Sequence, residues 1–386
     1  MSALVDRAHG GDKCDRMLGP IGAGLALVGL LMIAASCYIW SRSSPGWGYD
    51  FAAYFDAAQR MLATGSPYQA QTLGGPFQPG PYGLYLYAPP LALLFVPLVA
   101  LGASAGLLVW LALRIALLVV TCALLPIPRP LRLVMFGIAA LSAPFLVDLD
   151  LGNVSLIVTF FAVVVWRWLD MPLGGLGLAA SLPIRPTMGV IWIWWLIRRQ
   201  WRAATWTAIG LAAIALATLP FTGIDMWFQY LTVLRNLSNV MGVSRNLDLG
   251  STALSLGLTS EAGVVMLYLG YVVAIGAIAV SLRRDREISY AVTLMATLLL
   301  SPLLWDHYLT MLIVPAALLA ARGRRWGVLL PLLGWLPLVF LPFVAVAGML
   351  LPFLAPERGR ASLEVGRDEP EAVADIDPSL SGTAGA

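Results

Sequence analysis

Apolar runs separated by short polar or proline-bearing breaks occupy most of the chain. A bilayer core of about 30 Å is crossed by about 20 apolar residues in helical conformation. The runs at 18–40, 105–126, 131–147, 153–168, 172–184, 187–198, 203–220, 263–282, 288–304 and 308–321 read as spans. The last run, 327–354, carries Pro331, Pro337, Pro342 and Pro352 and reads as one kinked span or a tight hairpin. The pattern predicts an all-α polytopic transmembrane bundle of about 11–12 spans. Residues 1–17 are a polar tail. The run after them is too long for a signal-peptide core and is expected to stay as the first span.

Arginine sets the orientation, because Lys13 is the single lysine. Arg129/Arg132, Arg198/Arg199/Arg202, Arg283/Arg284/Arg286 and Arg322/Arg324/Arg325 mark cytoplasmic turns by the positive-inside rule. An even number of crossings must then separate each cluster from the next. Run 84–102 would break that parity if it crossed. It holds Pro89, Pro90 and Pro97, which break helix, so it is predicted to be a re-entrant or interfacial segment. The external first loop then spans 41–104 and carries interfacial helices. Asp50, Asp148, Asp150, Asn153, Arg185, Asp306 and His307 fall on the non-cytoplasmic side. The domain division is a cytoplasmic tail at 1–17, a membrane-embedded catalytic domain at 18–355 and a disordered acidic tail at 356–386.

Composition agrees with the spans. Hydrophobic residues make up 59% of the chain and charged residues 12%, about half of what a water-facing surface carries. Cys14, Cys37 and Cys122 show no paired spacing and no histidine partner, so they read as small buried residues rather than a zinc or redox centre. Neither a Gly-rich phosphate loop nor a metal cage is visible.

Polar residues at membrane depth are expensive and mark function. Asp50 opens the first external loop and reads either as the N-cap of a short helix or as a reactive carboxylate. Arg185 sits between Pro183 and Pro186, where a fixed guanidinium suits a phosphate; snorkelling to the interface is the plainer reading. His307 follows Trp305 and Asp306 and reads as an interface residue or a site residue. Asp148 and Asp150 match the Asp-x-Asp spacing of metal-bound nucleotide sugars, but any two acids two apart do so, and capping or solvation serves as well. Arg114 lies mid-span and must face protein; the sequence does not reveal its partner.

Five motifs occur in order: Asp-Phe-x-x-Tyr at 50–54 with Gly65, Pro67 and Tyr68; Tyr-x-Pro-Pro at 87–90; Leu-Gly-Asn at 151–153; Arg-Pro-Thr at 185–187; and Ser-Pro-x-x-Trp-Asp-His at 301–307. Together they resemble glycosyltransferase family 87, multi-span enzymes of the GT-C fold, over roughly residues 18–350. Asn153 and Arg185 depart from the Gln and Lys often found there, with hydrogen bonding and charge kept. The resemblance implies a sugar carried on polyprenyl monophosphate, typically mannose, and transfer with inversion to a glycolipid or glycan. It implies Asp50 as the catalytic base and His307 as an active-site residue. Tyr54, Tyr87, Asn153, Arg185 and, more weakly, Arg245 are the candidate substrate-binding residues.

The expected protein is therefore a multi-pass plasma-membrane hexosyltransferase with its active site on the outer face. Its expected partners are a lipid-phosphate sugar, a glycolipid or glycan acceptor and the bilayer; no cofactor, metal or nucleic acid is expected. Arabinofuranosyl transfer from the same kind of carrier, or transport of a lipid-linked sugar, is the alternative. A transporter would be favoured by inverted repeats.

Overall fold

The computed structural model describes residues 2–75, 84–237, 240–243 and 245–357, with side chains from Leu18 onward. All regular structure among the described residues is helical, with no strand. Most of the expected acidic tail lies outside them, as does the side chain of His9.

The first span lies in α1 (Ser2–Ser43), which continues back through the stretch read as a tail. Ile21, Leu27, Val28 and Leu31 are exposed on it, as a lipid-facing surface requires. Its other face docks on the helix Arg129–Ala140. A Cβ at Gly29 would stand 2.7 Å from that of Ala140, so only small residues allow the approach. After a turn at 44–48 come α2 (Tyr49–Thr64) and the short α3 (Ala70–Gly74). α4 (Pro89–Val99) is 11 residues long, too short to cross, as the prolines predicted. It packs on α2 instead, with the Phe95 ring 5.1 Å from that of Tyr54. α5 (Ala103–Leu124) is a full-length span.

α6 (Arg129–Ala140) and α7 (Ala143–Leu151) were expected as one span; they meet at a 60° bend. α8 (Ser155–Arg167), α9 (Pro172–Ser181) and α10 (Gly189–Ile197) are all short. α11 (Trp201–Thr222) is again long; α12 (Asp225–Asn236) and α13 (Leu249–Ser255) follow, and α14 (Ser260–Ser281) is a fourth long helix. α15 (Arg286–Leu299) is the central post, buried at every position from Ile288 to Leu299. A 3-10 turn at Asp306–Leu312 leads into α16 (Ile313–Ala321). Run 327–354 is neither one straight helix nor a clean pair: 3-10 turns flank α17 (Leu341–Leu350).

Length and composition thus mark four spanning helices among the described residues, or five with the bent pair. The other apolar runs are shorter helices joined by turns. Turns at membrane depth are tolerated where protein encloses them, because the freed backbone groups find partners there. The breaks at 141–142, 152–154, 182–188 and 300–308 are largely buried or half-buried.

Two apolar clusters form. One is the bundle core around α15 and α16. The other joins α2, α4 and α12 through Phe51, Tyr54, Tyr85, Phe95 and Tyr230. Leu107 and Ile184 touch both. The polar residues of the motifs lie along this seam.

Candidate functional site

The loop that carries Asp50 is fastened to the end of α7. Gly48 adopts the left-handed conformation (φ 71°), and its N–H donates to the Asp150 carbonyl at 2.8 Å. Ser44 Oγ donates to Asp150 Oδ2 at 2.9 Å. Gly152 (φ 70°) ends α7, and a Cβ there would lie 2.8 Å from Phe51 Cβ. Only glycine lets the first turn of α2 seat this closely.

That seating brings Asp50 to Asn153, whose Nδ2 donates to Asp50 Oδ2 at 2.7 Å. The Asn153 amide is oriented from behind. Its Oδ1 accepts from Ser155 N at 2.9 Å and Ser155 Oγ at 2.8 Å, so the NH2 end faces the carboxylate. Asp50 does not cap α2: Gly48 is the cap residue and makes no side-chain bond. Burial pushes the Asp50 carboxyl above the ordinary range; the nearby His307, the Asn153 bond and Arg114 oppose the rise only in part. The residue as a whole is half-buried.

Behind Asn153 lies a pair that the sequence left open. The mid-span Arg114 pairs with Asp148, and both are fully buried. Asp148 also accepts from Ser155 N at 3.2 Å. Asp148 and Asp150 therefore engage different partners, Arg114 and Ser44, and their spacing serves the frame of the site. No described group of three His, Cys, Asp or Glu could hold a metal ion.

The aromatic wall comes from α2 and the segment before α4. Tyr54 and Tyr87 share a hydroxyl–hydroxyl hydrogen bond of 3.1 Å, with rings edge to face. Tyr68 donates to the Tyr87 carbonyl at 2.9 Å. Ala88 N donates to the Pro183 carbonyl at 3.1 Å, tying this wall to the break that carries Arg185.

Arg185 is 7% exposed, and its guanidinium carbon lies 3.8 Å from the centre of the Tyr308 ring. Its Nε donates to Thr187 Oγ1 at 3.2 Å, its Nη2 is buried without a hydrogen-bond partner, and no described carboxylate pairs with it. A buried cation backed by an aromatic face is poised for an anion. Snorkelling is overturned by the burial. His307 is 3% exposed; its Nδ1 lies 3.3 Å from Asp306 Oδ1, and its Nε2 is buried with no partner. Since a carboxylate only accepts, Nδ1 carries the proton of that contact.

Arg245 stands apart. Its backbone is left-handed (φ 63°), its side chain is 61% exposed, and Nη2 reaches Asp306 Oδ2 at 3.4 Å. Its link to the site is that contact with Asp306. Sequence reasoning missed Asn246, which donates to the Pro302 carbonyl at 3.0 Å and accepts from Leu304 N at 3.0 Å, fixing the loop before His307. Ser155 was also missed. Neither carries a distinguishing spacing.

The structure thus brings Asp50, Asn153, Tyr54, Tyr87, Arg185 and His307 to one seam, with Arg245 at its rim. Compared with known proteins, residues 85–303 match the family model of glycosyltransferase family 87, more than half of the 386-residue chain. No curated protein and no solved structure matches.

Proposed function

The chain belongs to glycosyltransferase family 87, and from that premise we propose that it transfers a hexose, mannose first among candidates, from a polyprenyl-phosphate donor to a glycolipid or glycan on the outer face of the plasma membrane. The observation that carries this reading is one seam with a carboxylate on one side and two anion-seeking groups on the other. Asp50 is held by Asn153. Arg185 is buried with no carboxylate, and His307 Nε2 has no partner.

Inversion is a single displacement at the anomeric carbon. The acceptor oxygen attacks from the Asp50 side, and the carboxylate takes its proton. The bond from the anomeric carbon to the phosphate oxygen breaks, and the electron pair leaves with the lipid phosphate. Arg185 meets the developing charge there. His307, with Nδ1–H directed to Asp306, offers Nε2 to the same phosphate once that nitrogen is protonated, and Asp306 offsets the charge. A raised carboxyl is a better base than a free aspartate, because base strength rises with pKa. Tyr87, half-buried and backed by the fully buried Tyr54, offers the ring against which a sugar face packs. A phosphate-linked donor needs no nucleotide cradle on this side, since the lipid carries the sugar across.

The deciding experiment is transfer of radiolabelled mannose from polyprenyl-phosphate-mannose by purified protein. Wild type is compared with Asp50→Asn and with Asp56→Asn on the same helix. The expected result is loss of about 100-fold or more in Asp50→Asn only. Equal activity in both variants, at equal folding, would remove Asp50 as the base.

A further inference from the structure

The opposite end of the bundle carries a second charged concavity that the transfer reaction does not use. α10 and α11 join there through a tight corner at Arg198–Gln200, and Asp170 and the start of α15 close the sides. The result is an open pocket of about 530 Å³ lined chiefly by Arg198, Arg199, Arg202, Arg286, Asp170 and Trp201. Asp170 pairs with Arg286. The other three arginines have no carboxylate in the lining.

The corner is built at a cost. Gln200 N donates to the Trp195 carbonyl and Arg199 N to that of Leu196, the wrap that ends a helix in a left-handed residue. Glycine is the usual occupant; here it is Arg199, at φ 57°. An arginine kept in that conformation points to a use for its side chain. Arg198 Nη1 is anchored on the carbonyls of Leu282 and Arg284, both at 3.3 Å, so its charge is held in place. Gln200 precedes α11 without a side-chain cap, which leaves the first-turn amides of a 22-residue helix at the same corner.

Helices α10, α11 and α15 all run between this pocket and the seam. α11 alone covers about 33 Å at 1.5 Å per residue. The pocket is therefore separate from the glycosyl site, at the far membrane boundary. Its apolar neighbours fix the kind of anion. Trp201 is 60% exposed and Ile197 56% exposed beside the arginines. A soluble anion gains nothing from them, whereas a lipid places its phosphate on the arginines and its glycerol and acyl carbons against them.

We propose that this pocket binds the phosphate headgroup of an anionic phospholipid from the leaflet that covers this end of the bundle. Under the orientation proposed above, that leaflet is the cytoplasmic one. The binding itself rests only on the pocket.

Native mass spectrometry of the purified full-length protein, exchanged into mixed phosphatidylglycerol and phosphatidylcholine, tests it. Wild type should retain phosphatidylglycerol in preference to phosphatidylcholine. Arg199→Ala/Arg202→Ala should lose about tenfold or more of that preference. Arg199→Lys/Arg202→Lys should keep most of it, and so should Asp50→Asn, which separates this site from the transferase reading. Equal preference in wild type and the alanine variant would overturn the proposal. So would displacement of the lipid by millimolar inorganic pyrophosphate with no selection between the two lipids, which would mark a site for soluble anions.

Discussion

Asp50 shows how one side chain can be held against its own preference. Burial raises its carboxyl pKa above the ordinary 3.8 of an aspartate. A raised folded-state value means that the folded protein binds the proton more tightly than the unfolded chain. Stability therefore rises as pH falls through the folded value, and the charged form costs stability above it. Asp50→Asn removes that cost and keeps an acceptor for Asn153, so its thermal midpoint should equal or exceed that of wild type while transfer is lost. A clear drop in the midpoint would mean that the carboxylate has a structural duty. The acid limb of kcat/KM should have its midpoint above that of a free aspartate, because the base works only when ionised. Arg185→Ala should raise the apparent KM for the lipid donor more than that for the acceptor. A lost charge-assisted contact in a dry site is worth about 2 kcal/mol, roughly thirtyfold; an unchanged donor KM would take Arg185 out of the phosphate site.

At the scale of elements, the site is made by helix breaks, and this is where sequence reading succeeded only in part. Prolines announced the breaks: Pro144, Pro186 and Pro302 each stand at one. The shortness of α4 was legible because three prolines interrupt its apolar run. The end of α15 was not: the apolar run continues to 304 while the helix stops at Leu299, since hydropathy reports burial and the enclosed turn is as apolar as the helix. The partner of Arg114 was illegible for a related reason: Asp148 is 34 residues away, and only the bend between α6 and α7 brings it inward. Asp50 was open to a capping role until Gly48 took that place. Gly152 tests whether the seating of α2 on the α7–α8 break sets the site. Gly152→Ala incurs roughly 1 kcal/mol for its left-handed backbone and also collides with Phe51. Gly65→Ala bears the same backbone cost at φ 79° with open space around it. Transfer should fall at least tenfold in the first and stay near wild type in the second. Matched losses in both would mean that backbone strain alone, not the contact with Phe51, limits activity.

At the scale of the molecule, the polar seam and an arginine-rich end lie at opposite ends of the long helices. The seam at one end gathers a carboxylate, an amide, tyrosines, a histidine and a buried arginine. The other end gathers exposed arginines at the corners of α10–α11 and α14–α15. Such asymmetry is what the positive-inside rule acts on, and it gives the orientation a direct test. Single cysteines are placed in a background lacking Cys14, Cys37 and Cys122, at exposed positions on helices that do not depend on one another. Thr64 ends α2, and Ser260 opens α14, both at the seam end; Arg283 follows α14 at the far end. A membrane-impermeant maleimide applied to intact cells should label Thr64→Cys and Ser260→Cys alike, and Arg283→Cys only after lysis. Because α14 is one unbroken 22-residue helix, Ser260 and Arg283 must differ if it crosses. Labelling of both from outside would mean that α14 lies along the surface. Labelling of Arg283→Cys alone would turn the molecule over, place Asp50 on the cytoplasmic side, and leave a lipid-carried donor without its reason.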